Sequence, residues 1–250
     1  MKKSAMVVCM LFVMLIVSQT VYGQSVSDIP MAFVKGGCFQ MGDTFGDGQQ
    51  NERPLHRVCV SDFYMGKYQV TQGLWKEVMG DNPSKLQIGD SFPVESVSWN
   101  DIQRFISRLN HMTGKNYNLP TEAQWEYSCR EGGKEVKYVK NITDKELTDY
   151  AWYRGNSDGT THTVGQKHPN ELGLYDMVGN VWVWIRDVYA KDAYAESGTD
   201  NPVNMSGDGR RVIRGGNFSS DSNNLRCSRR GSYHPNIQEQ DIGFRLVLEP

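Results

Sequence analysis

Gly173-Leu-Tyr-Asp-Met-Val-Gly-Asn-Val-Trp-Val-Trp184 decides how this chain is read. Asn180 tolerates backbone angles closed to most residues, and its amide can tie down a loop. Trp182 and Trp184 lie two apart, so on a strand they share one face. Upstream, in Leu119-Pro-Thr-Glu-Ala-Gln-Trp-Glu-Tyr127, Thr121 and Gln124 form a capping box that starts a helix. Earlier still, Ile102, Phe105, Ile106 and Leu109 recur at helical spacing from about Asn100. Thr71 caps a helix carrying Leu74, Trp75 and Val78 and ended by Gly80. Met31 to Val34 and Cys38 to Met41 read as short strands. Val58, Val60 and Phe63 alternate with Cys59 and Ser61 as in a third. Asp43 to Pro54 is polar and Gly-rich, hence a loop. Downstream, Val212-Ile213 and Phe244 to Leu248 read as strands, and the charged run Glu131 to Asp149 as a surface excursion. The sum is one α+β domain with much irregular structure.

The 250 residues are 38% hydrophobic and 22% charged, enough for one large core. A formal net charge of -2 points to neither nucleic acid nor an anionic membrane. Lys2 and Lys3, the apolar run Val7 to Val17 and Val21-Tyr22-Gly23 form an export signal over residues 1–23, too short to span a bilayer. A short leader, 24–30, then precedes a domain at 31–250. Without Cys9, the cysteines are Cys38, Cys59, Cys129 and Cys227. In an oxidising compartment they suggest two disulfides, with three connectivities open. The expected product is periplasmic, surface-held or secreted.

These motifs, with Arg214-Gly215-Gly216 and Gly243-Phe244-Arg245, closely resemble the formylglycine-generating enzyme (sulfatase-modifying factor) family. The resemblance covers nearly everything after Pro30 and implies a variant C-type-lectin fold. Glu126-Tyr-Ser-Cys129-Arg130 and Arg226-Cys227-Ser228 match segments that the family often joins, which implies a Cys129–Cys227 bridge. With that pair assigned, Cys38 and Cys59 are left for each other.

Two departures bear on function. Copper-dependent members carry two cysteines soon after the Gly-Gly, and Cu(I) requires soft thiolates. Here Asn217-Phe-Ser-Ser-Asp-Ser-Asn-Asn-Leu-Arg226 has none. In the family's Gly-Asn-Val-Trp-Glu-Trp motif the Asn and Glu help bind calcium, for which Asn180 is the candidate here. Val183 takes the place of the Glu, and calcium needs oxygen ligands with some negative charge. His56, His111, His162, His168 and His234 show no ligand spacing.

Asn217 to Asp241 is rich in Asn, Ser, Asp, Tyr, Arg and Gln, side chains that make adaptable contacts. It also resembles the C-terminal region of retroelement-diversified lectin-fold proteins. Asn217, Phe218, Ser220, Asp221, Asn223, Asn224, Tyr233 and His234 are therefore the expected lining of a groove for a protein or glycan. No cofactor is assigned beyond a calcium candidate. The reading is an exported binding or scaffold protein. The alternative is a modifying oxidase or oxygenase of unrecognised chemistry on the same fold.

Overall fold

A computed structural model describes residues 24–250; the expected export signal lies outside them. Three helices and ten strands follow in chain order. They are β1 (Met31–Val34), β2 (Gly37–Met41), β3 (His56–Val60), β4 (Phe63–Gly66), α1 (Gln72–Met79), α2 (Trp99–Thr113), β5 (Tyr117–Asn118), α3 (Glu122–Cys129), β6 (Trp182–Val188), β7 (Arg211–Arg214), β8 (Arg230–Tyr233), β9 (Ile242–Phe244) and β10 (Val247–Leu248).

The helices start and stop where local chemistry requires. Thr71 accepts the Leu74 N–H at the head of α1, and Gly80 ends it in the left-handed region at φ 89°. Ser98 and Asp101 form the capping box of α2, one turn before its apolar stripe. Thr121 and Gln124 do the same for α3, every residue of which is buried.

Two four-stranded sheets run in the orders β1-β4-β10-β5 and β8-β7-β6-β9, and β2 pairs with β3 alone. In the second sheet β6 and β9 are parallel, and the other pairs are antiparallel. One core lies between the β2–β3 hairpin, α3 and one side of the second sheet, around Phe39, Val58, Trp125 and Val183. The other joins α1 and α2 to the opposite side, around Trp75, Phe105, Trp184 and Phe244. Trp182 packs against this second core and Trp184 lies within it, so the two tryptophans do share a face.

Three expectations change in detail. The strand read across Val58 to Phe63 is two strands in different sheets. Asn201 and Asp62 hold the break: the Asn201 amide binds Ser61, and Asp62 accepts the Gly36 N–H at 2.7 Å. Phe244 to Leu248 is likewise divided, because the Arg245 side chain turns inward to the Gly66 and Tyr175 carbonyls. The charged run Glu131 to Asp149 is anchored by buried Val136, Tyr138, Val139 and Leu147.

Both bridges are present. Cys38–Cys59 links facing residues of the hairpin, and Cys129–Cys227 ties the last residue of α3 to a segment 98 positions later. Residues 24 to 30 dock on the domain: Gln24 bonds Gln69 and Thr71, and Ile29 joins the second core. No helix among the described residues is long and apolar enough to cross a membrane.

Candidate functional site

The Asn217 segment begins at two glycines that no other residue could replace without movement. A Cβ on Gly216 would lie 2.4 Å from Leu225, and one on Gly215 would lie 2.9 Å from the Met177 carbonyl. Both have positive φ, 98° at Gly215 and 72° at Gly216. The turn they allow is organised by Asn217. Its Oδ1 accepts from the Ser219 N–H at 3.0 Å and from the Ser220 hydroxyl at 2.8 Å, while its amide donates to Asp241. Phe218 is buried, with its N–H on the Asn180 carbonyl and its own carbonyl taking the Ser157 hydroxyl.

Of the eight nominated residues, Asn217, Phe218 and Ser220 thus face inward and shape the turn. Asp221, Asn223, Tyr233 and His234 are exposed, and Asn224 is half-buried and accepts from Arg229. Arg154 braces the outer edge through the Ser219 carbonyl and the Asp221 carboxylate. Asp241 connects the two halves of the face. It receives the Asn217 amide, and after burial it is the main cause holding the Tyr233 phenol above its usual range.

Asn180 has positive φ, 60°, and is fully buried. Its Oδ1 accepts the His162 N–H and its Nδ2 donates to the His162 carbonyl, both at 3.0 Å. Val183 is sealed in the first core. With the amide committed and an isopropyl group in place of a carboxylate, these residues do not fit a calcium ion. No group of three or more His, Cys, Asp or Glu side chains among the described residues gathers as a metal site. Copper fits no better: Cys38, Cys59, Cys129 and Cys227 are all in disulfides.

Two arrangements escaped the sequence reading. The Trp152 ring is stacked on His162 at 3.7 Å and carries the Lys167 ammonium 3.8 Å from its centroid. Histidine spacing gave no sign of it, since His162 acts here by packing and not as a ligand. The second is a cavity of about 430 Å³ beside the N-terminus of α3, lined by Glu122, Asp187, Tyr194 and the loop from Ala190 to Gly207. None of the eight nominated residues lines it. Its one advance signal was a carboxylate, Asp187, in a strand that is apolar apart from it and Arg186.

Asp187 is buried, and its two oxygens accept the Glu122 and Asn204 N–H groups at 2.9 Å. Burial, and then the charge of Glu122, push its carboxyl up to about 7. Because this folded value lies above the unfolded one, its stabilising contribution is complete at low pH and is lost as pH rises through about 7. Asp43, Glu52, Asp101 and Glu122 are shifted the opposite way, so their contributions fade only in acid. Between pH 5 and pH 8 the native protein should therefore lose about 2–3 kcal/mol relative to Asp187→Asn. Urea unfolding of both proteins at the two pH values measures this, and parallel pH dependences would refute it.

The chain belongs to the sulfatase-modifying factor family: the sulfatase-modifying factor enzyme 1-like domain matches residues 19–250. It is 31% identical to the chaperone protein LppX of Paenibacillus barcinonensis, covering 89% of this chain and 90% of the relative. It is 28% identical to the formylglycine-generating enzyme of Streptomyces coelicolor, covering 85% and 87%. Among solved structures, Treponema denticola variable protein 1 matches with a TM-score of 0.80 and 29% identity, over 88% of this chain and 95% of that one.

Proposed function

We propose that this is an exported binding or scaffold protein that uses a rigid sulfatase-modifying factor fold to present the Asn217–Asn224 turn, Tyr233 and His234 to a protein or glycan. The observation that carries this reading is the turn itself. Where copper-dependent members place cysteines, Asn217 fastens Ser219, Ser220 and Asp241 together and leaves Asp221 and Asn223 facing solvent. Preorganised polar loops beside an exposed aromatic favour binding, because little order is lost on contact. Likeness to a variable protein and to a chaperone is in keeping with binding. The disulfides suit an exported protein. Likeness to a formylglycine-generating enzyme favours a second reading, a modifying enzyme of different chemistry.

Two measurements separate these readings. Purified protein loaded with Cu(I) and given oxygen and a Cys-x-Pro-x-Arg peptide should leave the cysteine unchanged; formylglycine in the product would overturn the first reading. A glycan array and a panel of purified exported proteins should yield a ligand whose affinity falls by about 1–3 kcal/mol in Tyr233→Ala. The change should leave stability nearly intact, since Tyr233 is 39% exposed. If Tyr233, His234, Asp221 and Asn223 can all be replaced without loss, the binding face lies elsewhere.

A further inference from the structure

The cavity beside α3 shares no lining residue with the Asn217 turn, and its chemistry is one-sided. Four carboxylates line it: Glu122, Asp187, Asp192 and Glu196. No Lys, Arg or His does. Glu122 is already neutralised, since Arg230 donates to both of its oxygens at 2.7 and 2.9 Å. Asp187 is not. It is 4% exposed and takes part in no salt bridge among the described residues. Two backbone N–H groups bond its oxygens, but without a counter-ion the buried carboxyl is driven toward its neutral form, and only a cation beside it would favour the charged one.

The rest of the wall leaves room for a narrow guest. Ala190, Ala193, Gly198 and Gly207 contribute only small groups to the wall, and Met41, Ala123, Val203 and the Tyr194 ring give it apolar surface. Asp192 and Glu196 are exposed at the rim and set a negative field at the entrance. Asp192 also borders a second groove of about 650 Å³, of mixed charge, lined by Asp43, Arg53, Pro54, Leu55 and Lys191. A volume of about 430 Å³ lies in the usual range for small-ligand pockets.

We propose that this cavity binds an organic monocation, an ammonium or guanidinium on a slender arm, with Asp187 as its buried counter-ion and Asp192 and Glu196 as its outer ring. The apolar patches take the methylene stem, as lysine and arginine side chains bury theirs. Binding is coupled to the ionisation of Asp187, which the empty cavity opposes and a bound cation favours. The charged and titratable groups around Asp187 are Glu122 on α3, Arg211 on β7, Arg230 on β8, Tyr194 with His56 of β3 stacked on it, and the two rim acids. Arg211 lies 3.9 Å from the Trp99 ring and donates to the Arg186 carbonyl, and Arg230 is held by Glu122, so neither is free to fill the cavity.

The test is calorimetric titration of the full protein with N-acetyl-arginine methylamide, free agmatine, and the neutral isostere N-acetyl-citrulline methylamide. The cations should bind at least about tenfold tighter than citrulline, and salt should weaken them. Their affinity should rise from pH 6 to pH 8. Asp187→Asn should remove the preference for charge and the pH dependence. The rim double variant Asp192→Asn/Glu196→Gln, both exposed, should weaken binding severalfold while keeping the pH dependence; it decides the matter if Asp187→Asn does not fold. Preference for the capped arginine assigns a partner's side chain and preference for agmatine a small molecule, and either sustains the site. Equal binding of citrulline, or a rim variant and pH profile without effect, overturns it.

Discussion

Replacing Glu126 by glutamine should lower the unfolding free energy by about 3–5 kcal/mol, the usual cost of breaking a buried ion pair from one side. Glu126 is fully buried on α3 and accepts from the Gly42 N–H, the Arg130 Nε at 2.9 Å and the Arg214 guanidinium. Both arginines are buried as well. Arg130 keeps the Gly42 and Val136 carbonyls, and Arg214 keeps those of Ser228 and Arg229. Neither set carries full negative charge, and the next carboxylate, Glu122, lies 3.7 Å from Arg214 and is committed to Arg230. A glutamine amide would also turn a donor toward donors. By contrast Asp221→Ala, which breaks the exposed Arg154–Asp221 pair, should cost under about 1 kcal/mol. Denaturant unfolding of both variants compares them directly. A Glu126→Gln protein as stable as the native one would mean that the carboxylate is not the charge that balances these arginines.

The second large effect is expected from Cys129→Ala/Cys227→Ala. The bridge closes a loop spanning 98 positions, which in the chain-entropy account is worth about 4–5 kcal/mol. The Cys38–Cys59 loop spans only 21, worth about 3 kcal/mol. In that account the difference between the two bridges lies mainly in the unfolded chain. Against a typical total of 5–15 kcal/mol, losing the long bridge should move the urea midpoint further than losing the short one. The opposite order would show that strain or residual structure in the unfolded chain outweighs loop length. Cys129 and Cys227 are buried, whereas Cys38 is exposed and Cys59 half-buried, so the void left by truncation adds to the cost at the long bridge and acts in the same order.

The helices were legible because each is specified within a few residues. Thr71 with Gly80, and Thr121 with Gln124, act through bonds three or four positions long. The ionic framework was not legible, because its partners meet only in the folded chain: Glu126 with Arg214 across 88 positions, Glu122 with Arg230 across 108, Glu52 with Arg226 across 174. In sequence those arginines look like solvated surface charges. For the same reason the carboxylate cavity was invisible, its wall being drawn from β2, α3, β6 and the loop beyond it. The Asn217 segment stood between the two cases. Its polar composition was plain, but which side chains turn inward depends on the two left-handed glycines and on Asp241, 24 residues away. The divided strands at Phe63 and at Leu246 failed for a simpler reason: alternation shows which side of a strand is apolar, but not that two halves of a run belong to different sheets.

The place of β10 sets a timetable for synthesis. It lies between β4 and β5, pairing with Met65 and Tyr64 on one side and with Asn118 and Tyr117 on the other. At ribosomal rates the interval between making β4 and making β10 is roughly 10–40 s. During it, the β10-facing flank of β4 is bare, and β5, once made, has no strand partner at all, so both are open to pairing with any passing strand. The β2–β3 hairpin can close within that time, but the first sheet cannot. A nascent chain of this kind gains from being kept apart from its neighbours until its last strand arrives, and crossing a membrane in extended form before folding would do so.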